Sequence, residues 1–173
     1  MSLARIQDVA DDLLSSSQSL AASDRWAPAL VLAFCAVDTC ASLVRKRNHP
    51  WVVREDFIEW IASHLLPQSG ELPCTAEDLY AARCGLVHAY SSEARRRVEG
   101  HARELIYALP KGSASRLLAR PGAVSAVYVD AGALLEAVRA GVEDFLQTLT
   151  SDPAVRQLAE GRATELLQFC DDV

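Results

Sequence analysis

Asp78-Leu79-Tyr80-Ala81-Ala82-Arg83-Cys84-Gly85-Leu86-Val87-His88-Ala89-Tyr90 is the stretch on which the reading of the fold turns. It predicts a helix with an arginine at the centre of its apolar stripe. At about 100° per residue, Leu79, Leu86, Val87 and Tyr90 all fall within roughly 60° of Arg83, and His88 lies about 140° away on the flank. A buried guanidinium without a partner is very costly. Arg83 must therefore face a carboxylate, a cleft or a second subunit.

The surroundings of this helix are also helical. Thr75 is a good N-cap, and Glu77 and Asp78 suit the positive end of the helix dipole. Upstream, Ile6, Val9, Ala10, Leu13 and Leu14 predict an amphipathic helix over about 3–17, with Ser15-Ser16-Ser17 as its end or a turn. A second helix should start at Ser23 or Asp24 and run to about Arg47. Its run Ala27 to Val44 is apolar on most sides, but it contains Pro28, Asp38, Thr39 and Ser42. It reads as a core helix and not as a membrane span. Asn48-His49-Pro50 stops it. A third helix covers about 53–65, and Pro67 to Pro73 is a loop.

Residues 104–130 change character. Leu105 to Leu109 and Ala123 to Val129 are β-prone and punctuated by Pro110, Gly112 and Pro121-Gly122, which predicts a small hairpin-like excursion. Asp130 then caps a periodic helix with Leu134, Leu135, Val138, Val142 and Phe145. Asp152-Pro153 opens the last one. The expectation is a mostly α, single-domain helical bundle over residues 1–173.

Composition narrows function. The chain has 173 residues, 50% of them hydrophobic, and a formal net charge of -6. Non-specific wrapping of long nucleic acid calls for a basic body, so any nucleic-acid contact must be local. The five cysteines (Cys35, Cys40, Cys74, Cys84 and Cys170) include no C-x-x-C pair. With a polar, mixed-charge start at Met1 to Asp8, they read as reduced thiols of a cytoplasmic protein. Gly-rich phosphate loops, H-E-x-x-H and G-x-S-x-G are all missing, which sets aside several large enzyme classes.

What remains is Arg83, His88 and Tyr90 at the spacing R-x4-H-x-Y. Together with Leu79-Tyr80 and the core helix bearing Ala36-Val37-Asp38, this segment resembles the signature of HEPN domains (higher eukaryote and prokaryote nucleotide-binding), over about residues 3–100. The resemblance implies a homodimer that brings two motif helices into one composite cleft. It also implies metal-independent endoribonuclease chemistry, often in toxins, with no cofactor. His88 would transfer protons, and Arg83 would stabilise charge on the phosphoryl oxygens. In one toxin branch the tyrosine at the place of Tyr90 is modified by a nucleotidyltransferase antitoxin. Active members often carry a polar residue after the arginine, where this chain has Cys84. A non-catalytic nucleotide-binding or dimerisation module is the alternative.

Asp38 is the only charge between Arg25 and Arg45. It reads either as a satisfied core carboxylate or as the partner that orients Arg83 or His88. Two basic clusters, Arg45-Lys46-Arg47 with His49 and Arg95-Arg96-Arg97, read first as solvated faces. Arg95, Arg96 and Arg97 are the candidates for RNA binding at the cleft mouth. Trp51, beside His49 and Arg54, reads first as a packed aromatic and second as a base-stacking ring. Cys84 and His88 at i, i+4, with Cys74 nearby, offer an incomplete zinc set, so no metal site is assigned.

Overall fold

The computed structural model describes residues 3–70, 72–89, 102–110 and 126–165. These form six α-helices and a two-stranded sheet, in the order α1 (Leu3–Ala22), α2 (Trp26–Val44), α3 (Arg54–Trp60), α4 (Ala76–Ala89), β1 (Glu104–Ala108), β2 (Ala126–Asp130), α5 (Ala131–Ser151) and α6 (Pro153–Arg162). A π turn, Ile61–Leu65, and a 3₁₀ turn, Leu66–Gln68, prolong α3.

The core forms around α2, against which α1, α3, α4, α5 and α6 all pack. Ten of its residues are buried, among them Leu30, Phe34, Val37 and Leu43. Ala29, Ala33, Ala36 and Ala41 carry almost no exposed surface, so neighbouring helices approach closely. By length and composition α2 could cross a membrane. Its covering of helices shows instead how so apolar a segment is buried within this fold.

The end of α1 and both ends of α2 differ from expectation. The helix α1 does not turn at Ser15 to Ser17 but continues to Ala22. Its serine hydroxyls donate to carbonyls one turn back, as Ser19 does to Ser15 at 2.9 Å, which lets serine persist in a helix. Buried Ser17 donates to the Ala29 carbonyl at 2.7 Å and joins α1 to α2. Neither Ser23 nor Asp24 caps α2. Asp24 adopts φ 57 and accepts from the Trp26 indole at 2.8 Å, so it makes the bend itself. At the other end α2 stops at Val44, because Arg45 leaves the helix and turns its guanidinium back to the Ser42 carbonyl at 2.7 Å.

The excursion at 104–130 is not a hairpin. β1 and β2 pair in parallel, with Leu105 opposite Val127 and Tyr107 opposite Val129. Parallel pairing requires a connection of about a dozen residues or more, and the numbering from Ala108 to Ala126 leaves room for one. Pro-Gly punctuation marks a reversal but does not say how far the chain travels before pairing. Leu105, Tyr107, Val127 and Val129 form the buried face, while Tyr128 points outward. Asp130 ends β2 and caps α5 by accepting from the Ala133 amide at 2.8 Å.

The π turn touches α5 at Gly141. A Cβ there would lie 2.9 Å from the Leu65 Cα and 3.2 Å from the His64 carbonyl oxygen. Gly141→Ala should therefore force the two backbones apart. The expected cost is about 1–3 kcal/mol, read as a lower midpoint in thermal unfolding.

Candidate functional site

The site starts with the placement of α4. Thr75 and Asp78 form a reciprocal cap: the Asp78 amide donates to Thr75 Oγ1 at 3.2 Å, and the Thr75 amide donates to Asp78 Oδ2 at 2.9 Å. Asp78 also accepts from the Arg103 amide at 2.7 Å and from the Arg103 guanidinium at 2.6 Å. One buried carboxylate thus sets the start of α4 and ties it to the lead-in of β1. Burial alone would raise the Asp78 pKa. The hydrogen bonds from Arg103 and Thr75 outweigh it and hold the carboxyl below its usual range.

With its start fixed, α4 buries Leu79, Ala82 and Leu86 and carries Arg83 to α2. Arg83 meets Asp38. Nε donates to Asp38 Oδ2 at 2.7 Å, and Nη2 reaches the same oxygen at 2.6 Å. The side chains are 19% and 20% exposed, so the pair is neither sealed in the core nor fully solvated. Burial works against the charge on Arg83, but the Asp38 carboxylate prevails and raises its pKa further above an already high value.

Two thiols flank the pair. Cys84 Sγ lies 4.0 Å from Arg83 Nη1. Cys35, one turn before Asp38, has its pKa raised by burial and then by the Asp38 charge, with Arg83 opposing. The ion pair therefore sits in a setting less polar than water.

Of the residues singled out from the sequence, Arg83, Asp38 and Cys84 come together. His88 lies on the last turn of α4, and its side chain is outside the described residues, as are Tyr90, Arg95, Arg96 and Arg97. Cys74 is buried near Asp78 and Arg103, with a pKa of about 11. It precedes α4, and Cys84 lies roughly 12 Å further along the helix axis at 1.5 Å per residue. Among the described residues no three histidine, cysteine or acidic side chains gather to hold a metal.

The cluster at the end of α2 is not the solvated face expected of it. Arg45 is buried, while Lys46 and Arg47 are exposed. Trp51 is not packed; it is 72% exposed. Arg54 pairs with Glu55 and Glu77.

Two further polar pairs escaped the sequence reading. His49 Nδ1 lies 2.8 Å from Asp56 Oδ2, across the loop that follows α2. His64 Nδ1 lies 2.7 Å from Asp144 Oδ2, clamping the π turn to α5 beside a cavity of about 220 Å³ lined by Val44, Trp60, Phe145 and Val155. A Pro50 turn between His49 and Asp56 is a weak local sign of the first pair. Nothing local links positions 64 and 144.

Comparison of the chain with protein-family models, with curated proteins and with solved structures finds no match.

Proposed function

We propose that this protein is a HEPN-like, metal-independent endoribonuclease of toxin type, acting in the cytoplasm as a homodimer. The observation that carries the reading is the Arg83–Asp38 pair. The motif arginine is locked in one orientation at mid-helix, and its side chain retains access to the surface. A fixed, planar, permanently charged group at a partly desolvated position suits the stabilisation of phosphoryl oxygens.

The reaction is attack of a ribose 2′-oxygen on the adjacent phosphorus. The O2′–P bond forms, the P–O5′ bond breaks, and a 2′,3′-cyclic phosphate is left. One proton leaves the 2′-hydroxyl and one arrives at the departing 5′-oxygen. His88 is assigned the proton transfer, since imidazole titrates near neutral pH. At about 140° from Arg83 on one helix, it meets the arginine's field best when two motif helices face each other. Dimerisation would also place one His88 as base and the other as acid. Tyr90 would be the point at which a nucleotidyltransferase antitoxin acts, and Arg95 to Arg97 would hold the strand.

A second reading is favoured by the same ion pair. Asp38 offsets the charge of Arg83, which suits a non-catalytic binding or dimerisation module. The two readings separate in one experiment. Purified protein is incubated with RNA in excess EDTA, alongside Arg83→Ala and His88→Ala, with the mass of each in solution measured by light scattering. Cleavage by the wild type, lost in both variants while the dimer persists, supports the nuclease. No cleavage by the wild type, with variants that lose stability or dimerisation, supports the module.

A further inference from the structure

The loop that follows α2 is tied down by buried polar side chains and carries one exposed ring. Buried Arg45 donates to the Ser42 carbonyl at 2.7 Å, the His49 carbonyl at 3.1 Å and the Pro50 carbonyl at 3.2 Å. Asp56, whose side chain is 2% exposed, accepts from the Lys46 amide at 3.1 Å, the Val53 amide at 3.0 Å and His49 Nδ1 at 2.8 Å. The loop is thus tied at residues 46, 49, 50 and 53 by one guanidinium and one carboxylate. Arg162 of α6 adds bonds to the carbonyls of Leu43 and Arg45.

Between these ties protrude Arg47, Asn48 and Trp51. Burying an arginine and an aspartate to hold a loop leaves unexplained why its tryptophan faces water. Trp51 and Tyr128 are the only large apolar side chains exposed among the described residues. Val52 is half-buried, and Lys46, Arg47, Asn48 and Pro50 are exposed around the ring. Arg47 has no partner among the described residues, and Lys46 makes only an open 3.6 Å contact with Glu59. A protein-docking patch presents contiguous apolar surface, and a single ring in a polar loop does not. An aromatic face beside cations is the chemistry that holds single-stranded nucleic acid.

We infer that the 46–51 loop is a preformed platform for single-stranded RNA, with a base stacked on Trp51 and phosphates held by Arg47 and Lys46. The inference rests on the reading of this chain as acting on RNA and adds where the strand is gripped. Asp38 lies about 9 Å along α2 from its end at Val44, at 1.5 Å per residue, which sets the platform and the Arg83 pair apart along the helix. The platform grips the strand, and the bond to be cut lies elsewhere.

The test uses an RNA of about eight nucleotides with every 2′-hydroxyl methylated, so that it binds but is not cleaved. Trp26 and Trp60 are 9% and 2% exposed, which leaves Trp51 as the solvent-facing tryptophan. Binding should quench its fluorescence. By anisotropy of the same RNA carrying an end label, a readout that does not need the ring, Trp51→Ala should raise the Kd about tenfold, with Trp51→Phe in between. Arg47→Gln should weaken binding and reduce its salt dependence by about one phosphate contact. Quenching without any cleavage of unmodified RNA would sustain the platform and remove the nuclease reading. Cleavage with unaltered Kd and KM in Trp51→Ala would remove the platform and leave the nuclease. Fluorescence that changes with protein concentration and not with RNA would also overturn the platform, assigning the surface to a second copy of the chain.

Discussion

Arg83→Ala and His88→Ala are each expected to slow metal-independent RNA cleavage by about two orders of magnitude or more, since one general acid–base group contributes roughly 10²–10⁴ and one charge-stabilising donor roughly 10²–10³. The two losses should differ in kind. His88→Ala should flatten the pH dependence of cleavage near neutrality, because the titrating imidazole is gone. Arg83→Ala should leave the shape of that profile unchanged. Arg83→Lys should recover little, because both contacts to Asp38 come from the guanidinium, through Nε and Nη2, and an ammonium cannot reproduce them.

Arg83→Ala carries a second consequence. It removes a partner of Asp38 at a largely buried position, at a cost of about 1–3 kcal/mol in stability. In a domain of this size each kcal/mol lowers the thermal midpoint by roughly 2–4 °C. The double variant Arg83→Ala with Asp38→Asn should regain part of that stability and none of the cleavage. If it regains cleavage as well, Arg83 acts only by structure, and the charge-stabilising role assigned to it falls.

Asp78→Ala should give the largest loss of stability. Asp78 holds the Thr75 amide, the Arg103 amide and the Arg103 guanidinium at once. Loss of the cap and of the buried acceptor together is worth about 2–3 kcal/mol, reduced from the fully buried case because Arg103 can turn to solvent. The thermal midpoint should drop by roughly 5–10 °C. The pH dependence follows from the lowered pKa of Asp78 in the folded state. That stabilisation is fully present above the unfolded-state value of about 3.9 and is lost as the pH falls through the folded-state value. The gap between wild type and Asp78→Ala should therefore hold from neutral pH to about pH 4 and close below it. A gap that instead closed near pH 6 would mean that another group carries the effect.

Much of this framework was legible from the chain alone. Thr75 and Asp78 stand three apart before an apolar run, and a capping pair of that spacing is a local signal. Leu134, Leu135, Val138, Val142 and Phe145 recur at helical spacing, and Asp130 stands where a cap should be. The pattern at Leu105 and Val127 gave extended segments but not their direction. The serines of α1 looked like an end because serine competes with the backbone, and in the fold the same hydroxyls bond one turn back and permit continuation.

The sequence by itself determined the helical periods, the caps of α4, α5 and α6, the core character of α2 and the anomaly of an arginine in an apolar stripe. Each of these depends on residues within a few positions of one another. Tertiary structure alone decided which group answers that anomaly, because Asp38 lies 45 residues from Arg83, and their meeting depends on how α2 and α4 rotate as they pack. It likewise decided the parallel pairing of the strands. It turned Arg45 into the loop and Trp51 out of it: one buried guanidinium satisfied three carbonyls at once, and the chain around it had to follow.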